Sequence, residues 1–348
     1  MWRDPYGRRI GAGEPLYVIA EIGLNHGGSL STALELVDAA AAAGASAIKL
    51  QSLKAEELVA PGCPPPAHVS TPSLQGFFAR FELDADAHRA VVDRARHHGL
   101  AVITTPLSEG LLPMLEAVGV DAYKVASGDL TNDGLLRAVA RTGKPVFLST
   151  GMATIPEVVR AVRLVRSAGG TVAAVLHCVS AYPAPAEAQN LRALLALSQA
   201  VEGPVGLSDH AADGLPSAIA AVALGATVYE RHFAREGDTS AIDFAVSSSP
   251  AELAALVTAC ADVSRRLGNG RKVCQPSESV NRTASRRGVY ARAALPAGHI
   301  VGPEDLIALR PETDIPASEL PLLIGRPVTR AVAAGEALMR VDISRRAA

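Results

Sequence analysis

Lys49, Lys124, His210 and His232 point to chemistry first, because each sits near the end of a short apolar run that has no structural need for a charge. Lysines are fixed cations, and Ser127, Ser149 and Ser208 stand near the ends of three such runs as short hydroxyl donors. Together they suit an anion that carries both a phosphate and a carboxylate. His210 and His232 end consecutive runs, with Asp209 and Glu230 beside them. Their imidazoles can therefore meet on one divalent metal and leave positions for water and substrate. The plainer alternatives are a lysine pair held by neighbouring carboxylates and two hydrogen-bonded core histidines.

The pattern extends to every run. Glu21 closes the first, Lys49 and Gln51 the second, Thr104 and Thr105 the third, Lys124 and then Ser127 the fourth. Ser149 and Thr150 follow the fifth, His177 the sixth, Ser208 and His210 the seventh, Glu230 and His232 the eighth. One such Ser or Thr is a helix cap; eight runs ending alike converge on a site. Cys178 beside His177 resembles a nucleophile pair, but successive strand residues point to opposite faces, so Cys178 is expected to be a buried thiol. His97 and His98 are expected as solvated residues that complement a helix C-terminus.

Only a scaffold that brings eight segments together can use these ends. The runs at 16–21, 46–50, 100–104, 121–125, 145–149, 172–177, 204–208 and 226–230 read as strands, with helices at 31–43, 85–98, 155–168 and 214–224 among those between them. Near-continuous hydrophobic strands alternating with helices over about 250 residues predict a (β/α)8 TIM barrel, whose chemistry sits at the C-terminal mouth. A doubly wound sheet would place G-x-G-x-x-G after the first strand, and none is present. The Pro- and Gly-rich segment 51–80 reads as an extended connection long enough to be functional. The barrel is expected over 1–267 and a polar linker over 268–285. A small, mostly β module follows over 286–348, where Gly298 to Asp305 is echoed by Gly335 to Asp342.

Composition removes several classes. The chain has 348 residues, 33 Lys plus Arg against 35 acids, and 49% apolar residues, which excludes disorder and gives no basic field for nucleic acid. Four separated cysteines make neither a zinc knuckle nor a disulfide framework. No apolar run reaches membrane-spanning length, and the charged start lacks a signal peptide's apolar region, so a cytoplasmic protein with no membrane partner is expected.

The motifs IAEIGLNHGGSL at 19–30, AIKLQSLKAEELV at 47–59, ITTPLS at 103–108 and YKVASGDLTN at 123–132 carry a resemblance that continues downstream. KPVFLSTGMAT at 144–154, HCVSAYPAP at 177–185, GLSDH at 206–210, VYERHF at 228–233 and LRP at 309–311 complete it. The chain resembles the sialic acid synthase family, which joins phosphoenolpyruvate to an N-acylated hexosamine and ends in an antifreeze-like (SAF) domain. The resemblance implies that Lys49 and Thr105 hold the phosphoenolpyruvate carboxylate, and that Lys124, Ser127, Ser149, Ser180 and Ser208 hold its phosphate. It makes His210 and His232 the ligands of a divalent metal, Mn2+ before Mg2+ or Co2+, and Glu21 the general acid/base. Glu230, Asp243, Gln51 and Tyr182 would meet the sugar, and Arg310 would reach in from the terminal module.

The departures fall on the acceptor side. Leu50 stands inside the Lys-x-Gln motif, Val179 replaces a hydroxyl, and Ser240-Ala241-Ile242-Asp243 replaces the usual approach to that acid. The acceptor therefore stays open among N-acetylmannosamine, a diacetamido-trideoxyhexose, mannose and an unusual sugar, free or phosphorylated. A related arabinoheptulosonate or octulosonate phosphate synthase is the enzymatic rival, and a non-catalytic sugar-binding homologue the rival of another class. The small terminal module and Arg310 together predict a domain-swapped homodimer, in which each module lies over its partner's mouth.

Overall fold

The computed structural model describes residues 2–64 and 71–344. Two compact units divide the chain, Met1–Gly268 and Asn269–Ala348. The first is built on the parallel strands β1 (Tyr17–Glu21), β2 (Ala47–Ser52), β3 (Ala101–Pro106), β4 (Ala122–Val125), β5 (Pro145–Ser149), β6 (Thr171–Cys178), β7 (Val205–Asp209) and β8 (Val228–Phe233). They pair in sequence order, and β1 pairs back to β8, so the barrel is closed. A two-residue strand, β9 (Ser247–Ser248), extends the sheet beside β8.

Helices α1 (Leu30–Ala42), α2 (Ala55–Leu58), α3 (Leu74–Ala79), α4 (Ala85–His97), α5 (Leu112–Val118) and α6 (Asp133–Arg141) lie between the earlier strands. Helices α7 (Ile155–Ser167), α8 (Ala193–Ala200), α9 (Gly214–Ala223) and α10 (Pro250–Leu267) complete the set. The connection over 51–80 is not extended throughout, because α2 and α3 occupy part of it; Phe77 and Phe81 pack with Leu53 into a small core of their own. Pro65 and Pro66 of its proline run lie outside the described residues. His98 is not simply solvated either: its Nε2 lies 2.7 Å from Asp38 Oδ1, tying α4 to α1.

Strand parity decides what enters the barrel. Val18, Ala20, Ile48, Leu50, Val102 and Tyr123 face the helices in the main core. Ile19, Ala47, Ile103, Ala122, Phe147, Leu176 and Val228 face inward at the lower level. Two residues further up, the inward positions become Glu21, Lys49, Thr105, Lys124, Ser149, Cys178 and Glu230. The chain thus changes from apolar to polar along one interior column per strand. Gly206 is required in that interior, since a Cβ there would overlap the Val228 carbonyl oxygen. Below, an N-terminal turn carries Trp2 and Ile10 against Tyr17 and Phe147. Asp4 fixes that turn by accepting from the N–H groups of Tyr6 and Arg8 and from the Tyr17 hydroxyl.

In the second unit, the stretch read as a linker ends in α11 (Ser279–Ser285), whose Thr283 carbonyl accepts from Glu312 N–H. All its residues are exposed, so no apolar period marks it in the sequence. Regular β structure is sparse, limited to the antiparallel pair β10 (Gly288–Ala291) and β11 (Leu306–Leu309) and isolated bridges. The sequence echo is structural: Asp305 accepts from Gly302 N–H, and Asp342 from Met339 N–H, each three residues back. Val289, Leu306, Val328 and Leu338 form this unit's own core.

Phe147 is fully buried where the lower barrel meets Trp2. Phe147→Ala should lower the unfolding free energy by about 3–5 kcal/mol, read by denaturant titration.

Candidate active site

Four charges meet at the top of the barrel interior. Glu21 and Lys49 are register partners on β1 and β2 and form an ion pair. Lys49 Nζ also stands 3.7 Å from Glu230 Oε1 and donates to Thr105 Oγ1 at 3.3 Å. Lys124 Nζ donates to the same Glu230 oxygen at 2.5 Å and to Ser208 Oγ at 3.0 Å. Burial raises the Glu230 pKa, but Lys124 and Lys49 outweigh it and hold the carboxyl at about 2. Burial pulls Lys49 below the ordinary amine range, against the attraction of Glu230. Among the described residues, the buried Glu230 Oε2 and Glu21 Oε1 have no hydrogen-bond partner, and Glu21 Oε2 meets only the Lys49 ion pair, so acceptors of the cluster remain unused.

Hydroxyls gather beside Lys124. Ser127 Oγ donates to Ser149 Oγ at 3.0 Å and accepts from Gly151 N–H. A Cβ at Gly151 would overlap Ser180 Oγ and come within 2.8 Å of Ser127 Oγ, so only glycine lets these two hydroxyls converge. One cavity of about 260 Å³ is lined by both lysines, Gln51, Thr105, these hydroxyl residues, Glu230 and the histidine pair.

His210 and His232 stand with ring centroids 5.4 Å apart. His210 Nδ1 lies 2.8 Å from the Val179 carbonyl, which fixes its proton there and leaves Nε2 as a lone-pair donor. His232 Nδ1 lies 3.2 Å from Asp243 Oδ2 and makes no aligned hydrogen bond. Two Nε2 atoms are thereby available as donors that could hold a divalent metal. Among the described residues, no group of three or more His, Cys, Asp or Glu could hold one. Behind the pair, the buried Arg231 braces the His210 loop: it donates to Asp209 and to the carbonyls of Ala211 and Ala212. Tyr182 covers the outer side, stacked on His210 at 4.2 Å and 56% exposed.

The expected residues divide by parity and level. Glu21 lies behind Lys49 and Asp243 behind His232, and neither lines the cavity. Thr104 faces outward to Ser52, Thr150 bonds the Leu176 carbonyl, and Asp209 pairs with Arg231; all three are structural. His177 also turns away, its Nε2 on the Gln189 carbonyl. Cys178 takes the inward place on β6 because it is register partner of Ser208. Its Sγ lines the cavity 3.7 Å from His210 Nδ1. Burial raises the thiol's pKa, but the His210 contact wins and brings it to about 7. Alternation along β6 was the signal that could have found it. Met152 was also missed; it lines the cavity with φ +65°, a conformation costly for a side chain, and no sequence feature marks it. Arg310 belongs to the second unit, where it is exposed and precedes a cis peptide bond to Pro311.

Comparison with known proteins agrees with this architecture. Residues 36–272 match the NeuB family and residues 286–344 the SAF domain. An uncharacterized protein of Methanocaldococcus jannaschii is 36% identical over 321 residues, 92% of each chain. The N,N'-diacetyllegionaminic acid synthase of Campylobacter jejuni is 32% identical over 320 residues, 90% of this chain and 96% of its own. The crystal structure of an N-acetylneuraminic acid synthetase from Leptospira borgpetersenii, in complex with citrate, is 34% identical with a TM-score of 0.72, and the match covers 78% of this chain and 92% of that one. With strands β2 to β8, the lysine and serine cavity and the paired histidines all inside the matched span, the chain belongs to the NeuB family and carries a C-terminal SAF domain.

Proposed function

We propose that this chain condenses phosphoenolpyruvate with the open-chain aldehyde of an N-acylated hexosamine, giving a nonulosonic acid and inorganic phosphate. The observation that carries this reading is the single cavity in which two lysines, a cluster of serines and the histidine pair converge. Lys124 with Ser127, Ser149, Ser180 and Ser208 binds the phosphate, and Lys49 with Thr105 binds the carboxylate. His210 and His232 would hold a divalent ion, Mn2+ in preference to Mg2+ or Co2+, which would supply Lewis-acid polarisation of the aldehyde carbonyl.

The chain's groups then manage charge and protons. C3 of the enol phosphate forms the new C–C bond to the aldehyde carbon, and the aldehyde oxygen gains a proton, with Glu21 acting through the Lys49 side of the cluster. C2 becomes cationic, and the nearby Glu230 carboxylate stabilises it. Water adds to C2 and gives one proton to the carboxylate cluster, replacing the one taken by the aldehyde oxygen; the other proton leaves with the phosphate as the C2–O bond breaks, leaving the keto group. The unused Glu230 Oε2 accepts from an acceptor hydroxyl, while Gln51 and Tyr182, which line the cavity, orient the sugar; Asp243, expected to join them, acts from behind through His232. The protein works in the cytoplasm as a domain-swapped homodimer with Arg310 acting in trans, its guanidinium fork reading an acyl oxygen or phosphate. No helix among the described residues is long and apolar enough to cross a membrane.

A panel of aldehydo-sugars with phosphoenolpyruvate should release phosphate for one acceptor class, with the product identified by mass. In 18O-labelled water the label should enter the keto acid; label in phosphate would mean P–O cleavage and reject the mechanism.

Chelation should abolish turnover and Mn2+ should restore it. His210→Ala or His232→Ala should cost several orders of magnitude, the scale of about several kcal/mol that a Lewis acid supplies. A loss below about tenfold would make these histidines structural.

Glu21→Gln and Arg310→Ala chains, refolded together, should recover about a quarter of wild-type activity, since half the dimers are mixed with one intact site each. Recovery near zero from folded dimers would place Arg310 in its own chain's site.

A further inference from the structure

Asn25 lies in the turn that follows β1, is 5% exposed, and was absent from every expectation for the site. Its side-chain amide uses both ends. Nδ2 donates to the Phe233 carbonyl at 3.0 Å and to Ser247 Oγ at 2.9 Å, and Oδ1 accepts from Asp243 N–H at 3.0 Å. Ser247 Oγ in turn donates to the Asp243 carbonyl at 2.8 Å. The Asp243 backbone is thus gripped on its N–H and its C=O by one network that starts from a single amide. Asp243 needs this grip, because it sits in the irregular stretch between β8 and β9, where no strand ladder fixes a side chain.

We infer that Asn25 is a positioning residue: by holding Asp243, it places the carboxylate that orients the His232 imidazole. A carboxylate beside Nδ1 keeps the ring's proton on that nitrogen and leaves the Nε2 lone pair free for a cation. Asp243 Oδ2, 3.2 Å away, is the carboxylate paired with His232 Nδ1, which makes no aligned hydrogen bond to any described residue. His210 reaches the same state by another route, through the Val179 carbonyl, which is backbone. The two histidines are therefore oriented independently, and Asn25 acts on one of them. The position uses two donors and an acceptor on one planar group; aspartate keeps the acceptor and loses both donors, and glutamine carries the same amide on an arm one carbon too long.

The inference rests on the proposed metal role of the pair only for its second readout. In metal-free protein labelled with 15N-histidine, His232 should be the Nδ1–H tautomer by NMR. Asn25→Ala should shift it to a mixture while His210 stays unchanged, and Asn25→Asp should act the same way through loss of both donors. If Asn25→Ala does not fold, Ser247→Ala cuts the same network at its other node and takes its place. Mn2+ affinity, titrated by electron paramagnetic resonance, should fall about 10- to 100-fold in the folded variants, with phosphoenolpyruvate affinity unchanged. A folded variant with the wild-type His232 tautomer overturns the inference. Wild-type protein that shows the Nδ1–H tautomer but binds no Mn2+ overturns the metal reading of the pair and leaves the positioning by Asn25 standing.

Discussion

Two ammonium groups and two carboxylates share the buried top of the barrel, and the rest of the structure exists to make that tolerable. Taking any one of these charges out of water costs several kcal/mol, which mutual attraction offsets only when partners are close and well aligned. Glu230 satisfies the condition by lying between Lys124 and Lys49, and Glu21 by facing Lys49 across the β1–β2 ladder. Because four different strands supply the four groups, the cluster forms only when the barrel has closed. The apolar interior below it is what excludes water and makes the charges strong.

Under the proposed function, such a cluster would be a prepared host for an anion. An incoming phosphate or carboxylate would replace carboxylate oxygens on the lysines with its own, so that the lysines change partner and are never left bare. The hydroxyls around Lys124 add donors without adding charge. The serines thus line the Lys124 side of the cavity, while the imidazoles and the tyrosine ring line another side.

How much of this could be read from the chain depended on the kind of information needed. The barrel was legible because its strands are near-continuous apolar runs and its helices are periodic, so all eight strands stand within a few residues of their expected bounds. Lys49, Lys124, Ser208 and Glu230 were legible because burying a charge or hydroxyl at the end of an apolar run is costly, and a site recoups that cost where packing alone does not. His177 and Cys178 were exchanged because alternation says that neighbours face opposite ways but not which of them faces inward; register with Ser208 settles it. Asn25 and Asp243 were beyond reach in another way. Their relation is a contact between two irregular turns 218 residues apart, and no local pattern encodes it. Helix α11 stayed hidden because a fully exposed helix leaves no apolar signature.

The N-terminal turn that seats Trp2 and Ile10 under the barrel has a consequence for kinetics. With the lower end packed by these residues, all traffic passes through the mouth, and the lysine end is its deepest point. Under the proposed function, a ligand at the lysine end would have to enter before one held under Tyr182, and a product spanning both would leave outward. A packed floor would thus impose an order of arrival without any moving part.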